Sequence, residues 1–188
     1  PRPTVDSVMT DSTIRTAVRA WLDDAPTAEA AHGPISAWAT GEVTDMSYLF
    51  CGRGEWSECH VNAGTFNDPL NNWDTSSVTR MDSMFTDAHV FNEALDAWDT
   101  SRVTRMDSMF RRAHAFNKPL PWNTGNAKDL SGMFREADRF NRPLDWDTGS
   151  VTSMRQMFLD AGQFDQDLNW DTSRVRDMAE MFGYASQF

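Results

Sequence analysis

Apolar residues recur along this chain on two periods that take turns. Val78, Met81, Met84, Phe85 and Ala88 fall at helical spacing, which puts them on one face. The same spacing returns at Val103, Met106, Met109, Phe110 and Ala113, and at Val151, Met154, Met157, Phe158 and Ala161. A fourth copy substitutes Ala127 and Leu130 but keeps Met133, Phe134 and Ala137. Each stretch predicts a short helix of two to three turns. Between them the pattern alternates: Leu144 and Trp146 flank Asp145, as do Leu120 with Trp122 and Leu168 with Trp170 around one residue each. Alternation is the period of a strand. Leu70 to Trp73 and Leu95 to Trp98 carry one extra residue, which predicts a small bulge there.

The two patterns together form one unit, and the unit repeats. Trp38, Trp73, Trp98, Trp122, Trp146 and Trp170 each open it, and from Trp73 onward the spacings are 25, 24, 24 and 24 residues. A fixed period of this length marks stacked units that bury one continuous core. The expected fold is therefore an α/β solenoid of about six units of 24–25 residues, each a short strand plus a short helix. The strands would form a parallel sheet along one side. Residues 35–188 make up the repeats, with a cysteine-containing insertion at 51–65. Residues 1–34 precede them as an N-terminal cap. Within it, Ile14, Ala17, Val18, Trp21 and Leu22 form the apolar stripe of a helix over 11–24. Asp11 or Ser12 is placed to cap its start and Pro26 to stop it.

Composition narrows the function. Met, Phe and Trp are abundant at 11, 12 and 8 residues, nearly all at repeat-locked positions, so the core is aromatic and thioether-rich. The formal charge of −11 disfavours nucleic acid and anionic membrane surfaces, which need basic patches. No apolar run reaches the ~18 residues of a transmembrane span, so direct membrane insertion is not expected. The chain starts at Pro1 without Met, as a processed protein or a fragment would. It stops at Phe188, where a seventh unit would begin, and this end is expected to be covered by further repeats or a partner.

The repeat-locked polar residues each have two readings. Asp74, Asp99, Asn123, Asp147 and Asp171 follow the tryptophans as a column. They could form a carboxylate ladder for calcium, or cap turns and free amides. Asn123 keeps the capping geometry and loses the charge, which favours capping. Asn67, Asn92, Asn117, Asn141 and Asp165 follow a Phe each time and read as a ladder that satisfies backbone groups at one corner. The Trp, Phe and Met columns could be stacking platforms, but at this spacing they read as core. His89 and His114 stand at equivalent places in adjacent units and read as loop histidines rather than a metal site.

Specificity in a repeat protein belongs to positions that change. One such register runs Asp68, Glu93, Lys118, Arg142, Gln166. Arg102, Arg105, Arg111 and Arg112 form a basic spot in an acidic chain, and Trp56 stands outside the repeat in the insertion. All are candidate partner contacts, the alternative being a solvated surface of mixed sign. Cys51 and Cys59, with seven residues between them, read best as a local disulfide of an oxidising compartment. Two free thiols, or a metal site with His60, are the other readings. No nucleophile motif, phosphate loop or H-E-x-x-H occurs, so neither enzyme activity nor a cofactor or metal is expected.

The segments W-D-T-S-S-V-T-R-M-D-S-M-F from Trp73 and F-N-x-P-L resemble the BspA-like surface-protein repeat, a domain of unknown function related to leucine-rich repeats. The resemblance covers residues 35–188. It implies a right-handed, leucine-rich-repeat-like solenoid, extracellular or surface-attached, with a role in adhesion or protein contact. The expected function is a non-enzymatic protein–protein interaction or adhesion module. The alternative is an accessory or scaffold subunit embedded in a larger assembly, an organellar one included.

Overall fold

The structure is a computed structural model, and it describes residues 8–52 and 58–188. Two helices open the chain. Helix α1 spans Asp11–Asp23 and buries Ile14, Ala17, Val18, Trp21 and Leu22. Its N-cap is Thr10, which forms a capping box with Thr13. Asp11 is thereby left free to bind elsewhere, and its carboxylate accepts the backbone N–H of Thr44 at 2.7 Å and of Asp45 at 3.0 Å. Pro26 does not simply end α1. It stands in the first turn of a second helix, α2, Ala25–His32, whose N-cap is Asp24. Proline is tolerated there because the first-turn N–H has no helical partner.

After α2 the units stack, but not as a strand-plus-helix solenoid. Among the described residues the rest of the chain holds two short 3-10 turns, Ile35–Ala37 and Val61–Thr65, and no further helix. Nor do the described residues form a sheet. Consecutive units meet through single parallel bridges, Asp45 to Arg80, Arg105, Asp129, Ser153 and Asp177 in turn. The expected leucine-rich-repeat-like α/β architecture is thus corrected to a stack of irregular coils behind a two-helix cap.

The hydrogen bonds explain why no helix forms. In one coil, the N–H groups of Met106, Ser108, Phe110 and Arg112 donate to Asp129, Ser131, Met133 and Arg135 of the next coil. The intervening Met109, Arg111 and Ala113 donate three residues back. Half of the amides are therefore spent between coils, and an α-helix would need them all within one. Ser108 and Arg112 are left-handed, at φ 58° and 57°, which also breaks a right-handed helix. The turn repeats every four residues, so Met106, Met109, Phe110 and Ala113 still all face inward. An apolar spacing of three and four fits this coil as well as a helix.

The alternating segment keeps its alternation without pairing as a strand. Leu144, Trp146 and Thr148 are buried while Asp145 and Asp147 are exposed. Side chains, not a backbone ladder, tie it to its neighbours. The extra residue before Trp73 and Trp98 closes a tight turn, Trp73 N–H to Leu70 O at 3.0 Å and Trp98 N–H to Leu95 O at 3.3 Å, rather than a bulge.

Three aromatic columns run through the stack. Phe85 meets Phe110 at 5.6 Å between ring centres, Phe91 meets Phe116 at 6.0 Å, and Trp122 meets Trp146 at 6.4 Å. Rings spaced in this way are held beyond simple area burial by ~0.5–1.5 kcal/mol a pair.

Candidate functional site

The repeat-locked residues face their own neighbours. Each indole N–H donates to a carbonyl of the preceding coil: Trp98 to Leu70, Trp122 to Leu95, Trp146 to Leu120, at 2.9–3.0 Å. Each buried threonine hydroxyl donates the other way, Thr75 to the Asp99 carbonyl and Thr124 to that of Asp147. Asn67 accepts the backbone N–H of Asn92, and the ladder continues to Asn117, Asn141 and Asp165. The carboxylates of Asp99, Asp147 and Asp171 accept the N–H two residues on, as Asn123 does, closing a local turn. The Ser101 hydroxyl and then its N–H lower the pKa of Asp99, and the Ser173 N–H and then its hydroxyl lower that of Asp171.

The changing register lies on the outside of the asparagine ladder. Arg142 is exposed, and Asp68, Glu93, Lys118 and Gln166 are half-buried. Four of the five also bond within the fold, Asp68 to the cap and three to the stack. Asp68 accepts the indole N–H of Trp21 at 2.7 Å, which ties the cap to the coils. Glu93 accepts from Asn67, Arg142 donates to the Asn117 carbonyl, and Gln166 donates to Asn141 Oδ1. Lys118 makes no such bond among the described residues.

The basic spot is split between two faces. Arg105 lies on the bridge face, where it pairs with Asp107 at 3.1 Å beside the Arg80–Asp82 pair. Burial, with the charges of Asp129 and Asp82, raises the Asp107 pKa against the hydrogen bond from Arg105. Arg111 and Arg112 lie six and seven residues further round the coil. Arg112 pairs with Glu136 at 2.7 Å. Arg111 faces Arg112 and Arg135, its Nε is buried without a hydrogen-bond partner, and burial followed by those two charges lowers its pKa. Trp56 lies outside the described residues.

Cys51 and Cys59 are joined by a disulfide. His89 and His114 stack with ring centres 5.0 Å apart, and His114 Nδ1 lies 2.9 Å from Asp138. His60 pairs with Asp23 of α1 at 3.1 Å.

At the far end of the stack, core positions become exposed. Met178 is 47% exposed where its equivalents Met81, Met106 and Met154 are fully buried. With Leu168, Trp170, Phe182 and Phe188 it lines a cleft of about 700 Å³. A second cleft of about 640 Å³ holds Lys128, Arg174 and Arg176. Sequence reasoning passed over these three cations. Two of them depart from the repeat, since Lys128 and Arg176 stand where Thr44, Thr79, Thr104 and Thr152 stand in other coils, while Arg174 stands where Arg102 does.

The family model described as "Mycoplasma protein of unknown function, DUF285" matches residues 23–141 and 120–188. No curated protein and no solved structure matches the chain. No described helix is long and apolar enough to cross a membrane.

Proposed function

We propose a role in protein–protein contact for this chain, which belongs to the DUF285 family of Mycoplasma proteins of unknown function. In this reading it is a non-enzymatic interaction or adhesion module of BspA-like repeats, working outside the cell or at its surface. One observation carries it. The register Asp68, Glu93, Lys118, Arg142, Gln166 changes chemistry from coil to coil while the asparagine ladder beneath it holds the backbone fixed. A rigid backbone presenting varied side chains at fixed spacing suits recognition, because little conformational entropy is lost on binding.

A photo-crosslinking amino acid at Lys118 or Arg142, expressed in the native cells, tests this. The reading expects one recurrent protein adduct from both positions and none from Asp96, an exposed tight-turn residue. Equal, unspecific adducts from all three positions would sink it. The cysteine bond favours the surface setting over an embedded scaffold subunit, since disulfides persist in oxidising compartments.

A further inference from the structure

We propose that the flank of the last coils carries an oxyanion site, in which Lys128, Arg174 and Arg176 take a phosphate or sulfate group. The backbone sets the register. Thr152 N–H donates to the Lys128 carbonyl at 2.8 Å and Arg176 N–H to the Thr152 carbonyl at 2.8 Å. Lys128, Thr152 and Arg176 therefore form one column over three consecutive coils. At about 4.8 Å per step the outer two backbones lie roughly 10 Å apart, a gap that two long cationic side chains close around one tetrahedral anion. Arg174 joins from the last coil. It and Arg176 are exposed on either side of half-buried Val175, so both face the same cleft. Ser150 lines it too, while the Thr152 hydroxyl is spent on the Lys128 carbonyl at 3.0 Å and that of Ser173 on Asp171.

The cations are available. Among the described residues none of the three makes an ion pair, whereas Arg80, Arg105 and Arg112 all do. The nearby carboxylates are engaged. Asp171 feels the charge of Arg174, but its Oδ1 accepts the Ser173 N–H at 2.9 Å. Asp129 accepts the Ser131 N–H, and Asp177 accepts the Ala179 N–H and faces Arg155 at 3.9 Å. No carboxylate lines the cleft itself. Three cations without an ion pair on one flank make a local positive field in a chain of net charge −11. Two guanidinium forks match the planes of a phosphate or sulfate, and a lysine adds a point charge. The site does not depend on the changing register described above.

Amide NMR titration of the whole chain tests it, with inorganic phosphate, inorganic sulfate and chloride at constant ionic strength. Saturable shifts confined to residue 128 and to residues 150–152 and 173–176 are expected with phosphate or sulfate. Preference for sulfate would mark a sulfated ligand, and preference for phosphate a phosphorylated one. The double change Arg174→Gln, Arg176→Gln should weaken binding at least tenfold and leave the remaining spectrum in place. Shifts that never saturate, that chloride reproduces, or that survive the double change would overturn the proposal.

Discussion

The side-chain oxygen of Asn92 accepts the backbone N–H of Asn117 at 2.9 Å, across two coils that share no sheet. Side-chain ladders of this kind replace the backbone ladder of a strand on that side of the stack. Replacing Asn117 with Ala would leave the Asn141 N–H without its acceptor. Stability should fall by about 1–3 kcal/mol, read from the midpoint of urea unfolding. An unchanged midpoint would show that the ladder is decorative.

Asp160 is exposed and left-handed, at φ 56°. Glycine there relieves a backbone conformation that costs L-residues about 1–2 kcal/mol, against a smaller entropic loss. Asp160→Gly should therefore hold or raise the melting temperature. In a helix the same change would lower stability by about 0.1–0.4 kcal/mol, so any clear loss would favour the helical alternative.

The stacking period was legible in the sequence, because Trp, Phe, Met and Asn return at fixed register. The local conformation was not. Met106, Met109, Phe110 and Ala113 face inward in a four-residue turn and in a helix alike, and what decides is the supply of carbonyls from the next coil. Nor was the cap's attachment legible, since Asp11 meets Thr44 and Trp21 meets Asp68 across long stretches of chain. In the candidate site, the changing register was visible as variation, but the bond that Asp68 makes to the cap and those that Glu93, Arg142 and Gln166 make to the stack were not. Arg105 and Arg111 are near in sequence and fall on different faces because a tight coil turns within six residues.

Asp11 links acid stability to the cap. Burial raises its pKa, but the N–H groups of Thr44 and Asp45 and the Thr44 hydroxyl outweigh this, and the net shift is below 3.8. A depressed carboxylate contributes stability above its unfolded pKa and loses it as pH falls through the folded value. Asp11→Asn should cost on the order of 1 kcal/mol at neutral pH. The gap to the natural chain should close below about pH 4. A gap constant down to pH 2, measured by thermal unfolding, would refute the charged contact.

The Cys51–Cys59 bond closes a short loop beside the first coil. Constraining a loop of this length contributes about 2–3 kcal/mol in the chain-entropy account. Reductant should lower the melting temperature, and intact mass after alkylation should rise by two adducts only once reductant is present. Alkylation without reductant would show free thiols.

The central claim is a division of labour: repeated residues hold the coils, and changing ones meet a partner. The most direct test compares the natural chain with the double change Lys118→Glu, Arg142→Glu, by melting temperature and by affinity capture of the crosslinked partner from native cells. The account predicts a melting temperature within a few degrees of the natural chain, since these side chains add about one surface bond to the fold, together with loss of the captured protein. Undiminished capture at an unchanged melting temperature would contradict it.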